Sequence, residues 1–455
     1  MVLKTKKILF LISLLSFVPI FSFAEYNKDG LPDSSEIRQS LEETWFKAPL
    51  KNVRMNKAEL HTNKIGQKFQ VRLEETEKDF NIFVSPFTRM EIDVYTEEGK
   101  STEVQDVYPG DAKGSWVLIR DKKNGSPLRI RYYFADNSEI FVQFYPENKM
   151  AYGDFVIYNC YAKKGVPTGL LFDRFYSASF EQIKSWTRDK FPWEYNEIFP
   201  EDYFDVISMV NAIKKKLPTL LFTQDACYNE NAEEIYLSTG KKRPVTDEEK
   251  EKTTLNGAGF LKWIVDGINE PLTGGYLKYE PLIQETVEYN PTGFYGIKSQ
   301  DYSLSFTLDW TRNLATAISS VRTAQFFTYK DSNVDVQIEP FCAELTENGI
   351  KNTFGFIKDS GYSVTALKSL LYVLSVTEPH TFYLAAIRET SRYSPEVRAF
   401  NECAAIFPYF DKNKKFNIAI FKDCQELDFE SFYNRFCIDY VNLVKIQATD
   451  KFAPR

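Results

Sequence analysis

The stretch Asn256 to Gly267 follows a polar run, Thr246 to Thr254, and turns apolar with helical spacing. Phe260, Trp263, Ile264 and Gly267 fall at i, i+3, i+4 and i+7, one face of a helix. Gly257 and Gly259 crowd its entry. Small residues there open the helix N-terminus, where free N–H groups and the positive dipole end lie. Such a position suits a nucleophile, yet the segment holds neither Cys nor Ser. The alternative is a helix whose glycines serve close packing.

The beginning of the chain reads as an export leader. Lys4, Lys6 and Lys7 precede an apolar run, Ile8 to Phe21, and Ser22-Phe23-Ala24 has the form of a cleavage site. Residues 1–24 are therefore expected to be removed, leaving a mature chain from Glu25. No cysteine follows the run to carry a lipid, and no later stretch is apolar enough to span a bilayer. A periplasmic or secreted location is expected. The net charge is -7, about -10 without the leader lysines, and no basic stripe occurs, so nucleic acid is not an expected partner.

No cofactor is expected. The two histidines, His61 and His380, form no His-x-x-x-His pair, and no Cys-x-x-Cys occurs, so a zinc site is not expected. Glu25 to Glu36 does place oxygen side chains at positions 1, 3, 5, 9 and 12 with Gly at 6, as a calcium loop needs. The competing reading is a turn at Asp29-Gly30, then Asp33 or Ser34 capping a helix from Ser35 to Trp45. The six cysteines, Cys160, Cys227, Cys342, Cys403, Cys424 and Cys437, read mainly as buried thiols. Cys403–Cys424 is the most plausible bridge, and Cys227 the thiol in the most exposed setting.

In order, the chain divides into a leader (1–24), an N-terminal helix and linker (25–56), a β domain (57–176), a helical connector (177–216) and an α+β domain (217–455). Short strands such as Phe69–Leu73, Trp116–Arg120 and Glu139–Phe144, with turn signals between them, predict an antiparallel β-sandwich. His61 reads as a solvated surface residue before the first strand. Lys241 to Lys252 reads as a solvated loop, and Pro271 to Tyr295 as loop-rich. Asp309 is expected to cap a helix through Val321 and to pair with Arg312. A strongly apolar helix is expected over Tyr362–Ser375. Strands follow at His380–Ile387, Glu402–Phe407 and Asn417–Phe421, and Phe429–Val444 closes the chain as helix or strand.

A helix N-terminus, a His-led strand and a polar-led strand, in that order, can form a thiol–imidazole site with a third group orienting the ring. The run Asn256-Gly257-Ala258-Gly259-Phe260-Leu261-Lys262-Trp263-Ile264 resembles the Asn/Asp-Cys-Ser-Gly-Phe-x-x-Trp-hydrophobic motif of NlpC-type cysteine endopeptidases of bacterial cell walls. The resemblance covers Leu217 to Val444. It implies a papain-like α+β fold, peptidoglycan peptide as ligand, and a remnant site of Gly257, His380 and Glu402. Gly257 stands where that family has its nucleophilic Cys, and Ala258 where it has Ser. The Gly257-to-His380 gap is also about twice that of a compact member, implying an insertion. The resemblance thus implies an envelope protein that binds peptidoglycan peptide or a protein partner rather than cleaving it. The alternatives are an active cysteine peptidase or amidase with a non-standard nucleophile, such as Cys227 or Cys403, and a purely structural interaction protein.

Overall fold

The computed structural model describes residues 30–96, 99–287, 304–346, 349–352, 355–390 and 398–455. The residues read as a leader (1–24), the first positions of the calcium-type pattern (25–29) and residues 288–295 of the predicted loop lie outside these.

The chain is α+β and rich in antiparallel sheet. It opens with helices α1 (Ser35–Leu41), which runs on as a π turn to Phe46, and α2 (Leu50–Val53). Strands follow: β1 (Glu59–Thr62), β2 (Lys68–Glu75), β3 (Asp79–Pro86), β4 (Thr88–Thr96), β5 (Gly99–Val107), β6 (Trp116–Asp121), β7 (Pro127–Tyr133), β8 (Ile140–Glu147), β9 (Met150–Ile157) and β10 (Cys160–Leu171). Period-two alternation buries Phe69 and Val71, Phe80, Ile82 and Val84, and Trp116 and Leu118 on one face. Among the described residues β4 and β5 pair only with each other, as a hairpin apart from the main sheet.

The expected sandwich is instead one sheet with a helical cover. Among the described residues ten strands run β1-β2-β3-β6-β7-β8-β9-β10-β15-β16, where β15 is Ala343–Thr346 and β16 is Gly349–Lys351. The second layer comes from α1, the π turn and α3 (Phe180–Trp186), which bury Leu41, Trp45, Phe46, Phe180 and Ile183 against the sheet. These helices supply the apolar surface a second sheet would otherwise bring. Arg38 ties the cover down: its guanidinium donates to the carbonyls of Tyr176 (2.9 Å) and Ala178 (2.7 Å).

The connector also divides differently from the sequence expectation. α3 belongs to this first core, whereas α4 (Phe204–Lys216) buries Val206, Met209, Val210 and Ile213 in a second. Short strands β11 (Leu220–Phe222), β12 (Ala226–Tyr228), β13 (Glu234–Tyr236) and β14 (Thr253–Leu255) follow. The loop read as solvated, 241–252, is anchored: buried Arg243 pairs with Glu249 and with Glu234.

The C-terminal half is a three-layer α/β/α arrangement. Its helices are α5 (Gly257–Thr273), α6 (Tyr279–Leu282), α7 (Phe306–Thr323), α8 (Tyr329–Ser332), α9 (Leu367–Thr377) and α10 (Phe429–Phe436). Its antiparallel sheet runs β17 (Tyr362–Ser363), β22 (Tyr440–Gln447), β18 (Thr381–Thr390), β19 (Arg398–Phe410), β20 (Phe416–Lys422) and β21 (Gln425–Leu427). Alternation along β18 sends Phe382 and Leu384 to α5 and α7, and Tyr383, Ala385 and Ile387 to α9 and α10. The two halves are not independent. β15 pairs with β10, and Tyr372 of α9 joins the N-terminal core.

Helix α5 is buried all round from Ala258 to Asn269, not on one face only. α7, the sheet and β12 enclose it, and the C-terminal segment closes the remaining side, with the Trp263 indole N–H donating to the Arg455 carbonyl (3.2 Å). Burial of Lys262 is tolerated because it pairs with Asp266 one turn on at 2.5 Å and lies over the Tyr228 ring at 4.1 Å. Among the described residues no helix is long and apolar enough to cross a membrane.

Candidate functional site

β14 feeds directly into α5 through Asn256. Asn256 is extended, and its side-chain oxygen accepts the Gly259 N–H at 2.8 Å, a side-chain N-cap. Its own N–H donates to the Ala226 carbonyl at 2.8 Å. A Cβ on Gly259 would lie 2.7 Å from that same carbonyl, so only glycine lets β12 pass this close. The helix entry is thus fixed by backbone proximity, as the packing reading of the glycines anticipated.

Gly257 faces the sheet. A Cβ built on it would lie 2.7 Å from Asp423 Oδ1 and 3.7 Å from Cys403 Sγ. Asp423 in turn bonds Lys422, whose Nζ also lies 2.5 Å from Glu402 Oε2. Arg435 of α10 reaches Glu402 Oε1 at 2.7 Å. The cluster at position 257 is therefore Asp423, Lys422, Glu402 and Arg435, with a thiol beside it. Lys422 is almost fully buried. Burial works against its charge, but Asp423 and Glu402 outweigh that and hold its pKa above the ordinary value.

Of the three residues expected at a remnant site, Gly257 and Glu402 come together through this cluster and His380 does not. Ala386 of β18 pairs with Cys403, so the level of Gly257 lies six residues beyond His380. At roughly 3.3 Å per residue that is about 20 Å along the strand. His380 immediately precedes β18, half exposed, with Nδ1 3.9 Å from Asp205 of α4. Heading a strand sets where a residue lies along it, and the register puts this one at the wrong end. His61 lies within β1 rather than before it, with Nε2 3.0 Å from Glu59.

The cysteines also differ from expectation. All six are free. Cys403 stands on β19, whereas Cys424 follows Asp423 in a left-handed turn (φ 51° and 60°) that ends β20. The Cys424 thiol is directed at the Leu255 carbonyl instead, at 3.9 Å. Cys227 is fully buried on β12, not exposed. Burial pushes the thiols of Cys160, Cys227 and Cys424 up to about 12, and raises Cys403 further. These are inert settings, since the thiolate is the reactive form.

The pair Asp309–Arg312 is not formed. α7 begins three residues earlier than expected, so Asp309 lies inside its first turns and accepts from Thr286 N–H (2.7 Å) and Ser305 Oγ (2.6 Å). Arg312 instead pairs with Asp335 and Asp359. A cavity of about 850 Å³ opens beside α7, lined by Thr286, Asn313, Ser320, Phe326 and Tyr329 among others. Among the described residues no group of His, Cys, Asp and Glu is arranged to hold a metal ion. Within the calcium-type loop, Asp33 is committed to the amides of Ser35 (2.8 Å) and Phe180 (2.7 Å).

Lys422, Asp423 and Arg435 were not singled out by the sequence. A signal existed: two charged residues directly follow the apolar strand Asn417–Phe421. The strand register that aims them at Gly257 is not readable from one sequence.

A family model described as a domain of unknown function, DUF8515, matches residues 27–195. That span takes in α1, the meander from β1 to β10 and the covering helix α3. No curated protein and no solved structure matches the chain.

The thiol environments give a direct test. Native protein should show rapid reaction with a thiol reagent at Cys342 and Cys437, which are exposed and half-buried, while the four buried thiols react only on unfolding. A Gly257→Cys variant should add a slow thiol, because Asp423 crowds the position and its negative charge disfavours a thiolate. The raised thiols also fix a sign. Each stabilises the fold below the ordinary thiol value of 9.0 and loses that contribution as pH rises toward about 12. Thermal melting should therefore fall progressively above pH 9. Rapid labelling of Cys227 or Cys403 in the native state, or a flat melting profile to pH 11, would contradict these assignments.

Proposed function

We propose that this is an exported envelope protein whose C-terminal half is a papain-like, NlpC-related module that binds rather than cleaves. What supports the papain-like reading is a buried helix, capped at its entry by Asn256, packed on an antiparallel sheet with its first turn against two adjacent strands. The observation that carries the non-catalytic reading is the surroundings of Gly257. The position that would hold a nucleophile is bare, a carboxylate occupies the adjoining space, and His380 stands a strand's length away. A thiol mechanism needs a base within hydrogen-bond reach and an environment that favours the thiolate. The imidazole is out of reach, and the carboxylate beside position 257 disfavours a thiolate. The buried thiols nearby are pushed away from the thiolate form.

The ligand on this reading is a peptide of the cell wall or an envelope protein. The alternating charges of Glu402, Arg435 and Asp423, all partly exposed, suit a partner carrying both carboxylate and ammonium groups. The test is co-sedimentation of the full chain with insoluble peptidoglycan. Binding is expected, and Arg435→Glu, which places a third acid beside Glu402 and Asp423, should weaken it at least several-fold. Protein that stays in the supernatant, or a variant that binds unchanged, would count against this ligand and this surface respectively.

A further inference from the structure

We propose that the cavity where the two halves of the chain meet is a binding site for a small ligand with a flat apolar body and an anionic head. The inference is independent of the reading given for the C-terminal module. The cavity has a volume of about 290 Å³, near the lower end for small-molecule sites. Junctions between structural units are a preferred place for such sites.

Its walls are aromatic and come from both halves. Tyr158, at the β9–β10 turn, belongs to the N-terminal sheet. Tyr372 of α9, Phe410 of β19 and Phe416 of β20 belong to the C-terminal half. The rings form a continuous panel: Tyr372 stands 5.3 Å from Phe410 and 5.2 Å from Phe416, and Tyr158 lies 6.1 Å from Phe416. Tyr158, Tyr372 and Phe410 are buried, so the panel is held by the core and does not depend on a ligand for its shape. Edge and face arrangements of this kind receive another flat ring well.

The rim carries the opposite chemistry. Lys113, Lys414 and Lys415 line the cavity against a single acid, Asp136. Lys113 is 3.4 Å from Asp136, which accounts for that charge. Lys414 and Lys415 have no acidic partner among the described residues, so two positive charges are left for a ligand. The turn that carries them is set beforehand. Asp411 Oδ1 accepts the N–H groups of Asn413 (2.8 Å) and Lys415 (3.0 Å), and Lys414 takes a left-handed backbone (φ 62°). The Tyr158 hydroxyl accepts from Asn137 Nδ2 at 3.2 Å, and no acceptor for its own proton occurs among the described residues. A buried phenol with a proton to give, close to two unpaired lysines, selects an acceptor oxygen of an anion over a cation.

Titration calorimetry on the full chain tests this with indole-3-propionate and with tryptamine, which share a ring system and carry opposite charges. The acid should bind with one-to-one stoichiometry, weakening as salt rises, and the amine should bind at least tenfold more weakly. Lys414→Glu/Lys415→Glu changes two exposed side chains and should cost the acid at least tenfold, with an unchanged circular dichroism spectrum and melting temperature. Tyr158→Phe should cost roughly tenfold or more, the worth of one hydrogen bond to a charged acceptor. Equal binding of acid and amine, no binding of the acid at millimolar concentration, or an unchanged affinity in the double lysine variant would each overturn the proposal.

Discussion

Replacing Arg312 with alanine should destabilise the chain by about 3–5 kcal/mol, the cost of breaking a buried ion pair from one side. Arg312 is almost fully buried on α7. Its Nε and Nη2 donate to the two oxygens of Asp335 at 3.1 and 2.7 Å, and Nη1 donates to Asp359 at 3.0 Å. The guanidinium also lies 4.4 Å from the Tyr329 ring centroid, and the Tyr329 hydroxyl donates to Asp335 at 2.6 Å. Without Arg312, Asp335 keeps its charge in a buried place where, among the described residues, the Tyr329 phenol is the one side chain left to satisfy it. The double variant Arg312→Met/Asp335→Leu removes both charges and should recover most of the loss, because the larger part of the penalty is the stranded carboxylate. Urea unfolding of the three proteins measures this. A single variant within about 1 kcal/mol of the parent would show that Asp335 finds solvent or another partner.

Gly361→Ala should be comparably severe, for a backbone reason. Gly361 has φ 88°, where a side chain is strained. A Cβ there would lie 2.0 Å from the Val441 carbonyl oxygen and 2.6 Å from the Asn442 Cα, and neither atom is the end of a flexible side chain. Relief requires β17 to move off β22. The same turn carries Asp359 to Arg312, so its displacement would also loosen that ion pair. The strain and overpacking terms together come to about 2–5 kcal/mol. Hydrogen exchange should locate the damage, with amides of β17 and its partner stretch of β22 losing protection before those of β18. A variant with parental stability and unchanged exchange at Val441 would mean that the turn can take another shape.

The parts of the fold that were legible in the sequence are those governed by local periodicity. The entry of α5 at Asn256 and Gly257, the helix after Ser34, the polar turn at Asp411–Lys415 and the strands around Thr381, Cys403 and Asn417 all announce themselves through spacing and turn residues. The illegible parts depend on long-range pairing. Nothing near Ala343 says that β15 will extend the N-terminal sheet beside β10, and nothing near Phe180 says that α3 will serve as the second layer in place of a second sheet. Nor can one sequence give the register that sets Cys403, not His380, level with Gly257. A one-residue slip in register changes the face a side chain occupies, and a six-residue offset moves it the length of a strand. For the same reason Arg312 was matched to its neighbour Asp309, when its partners Asp335 and Asp359 come from separate segments.

These placements matter for function because catalysis is a matter of ångströms and binding is less exacting. A module can lose its nucleophile and the approach of its base, keep the buried helix and sheet that hold its shape, and still present a charged surface at the old position. On the proposed reading, the partly buried chain Glu402–Lys422–Asp423 at Gly257 is that charged surface. The most direct measurement is mass spectrometry of the soluble fraction after prolonged incubation of the full chain with purified peptidoglycan, with the bound protein quantified in the same reaction. The account predicts protein in the pellet and no newly released peptides, for the parent and for Gly257→Cys alike. Peptides released by the parent in a time-dependent manner would contradict it.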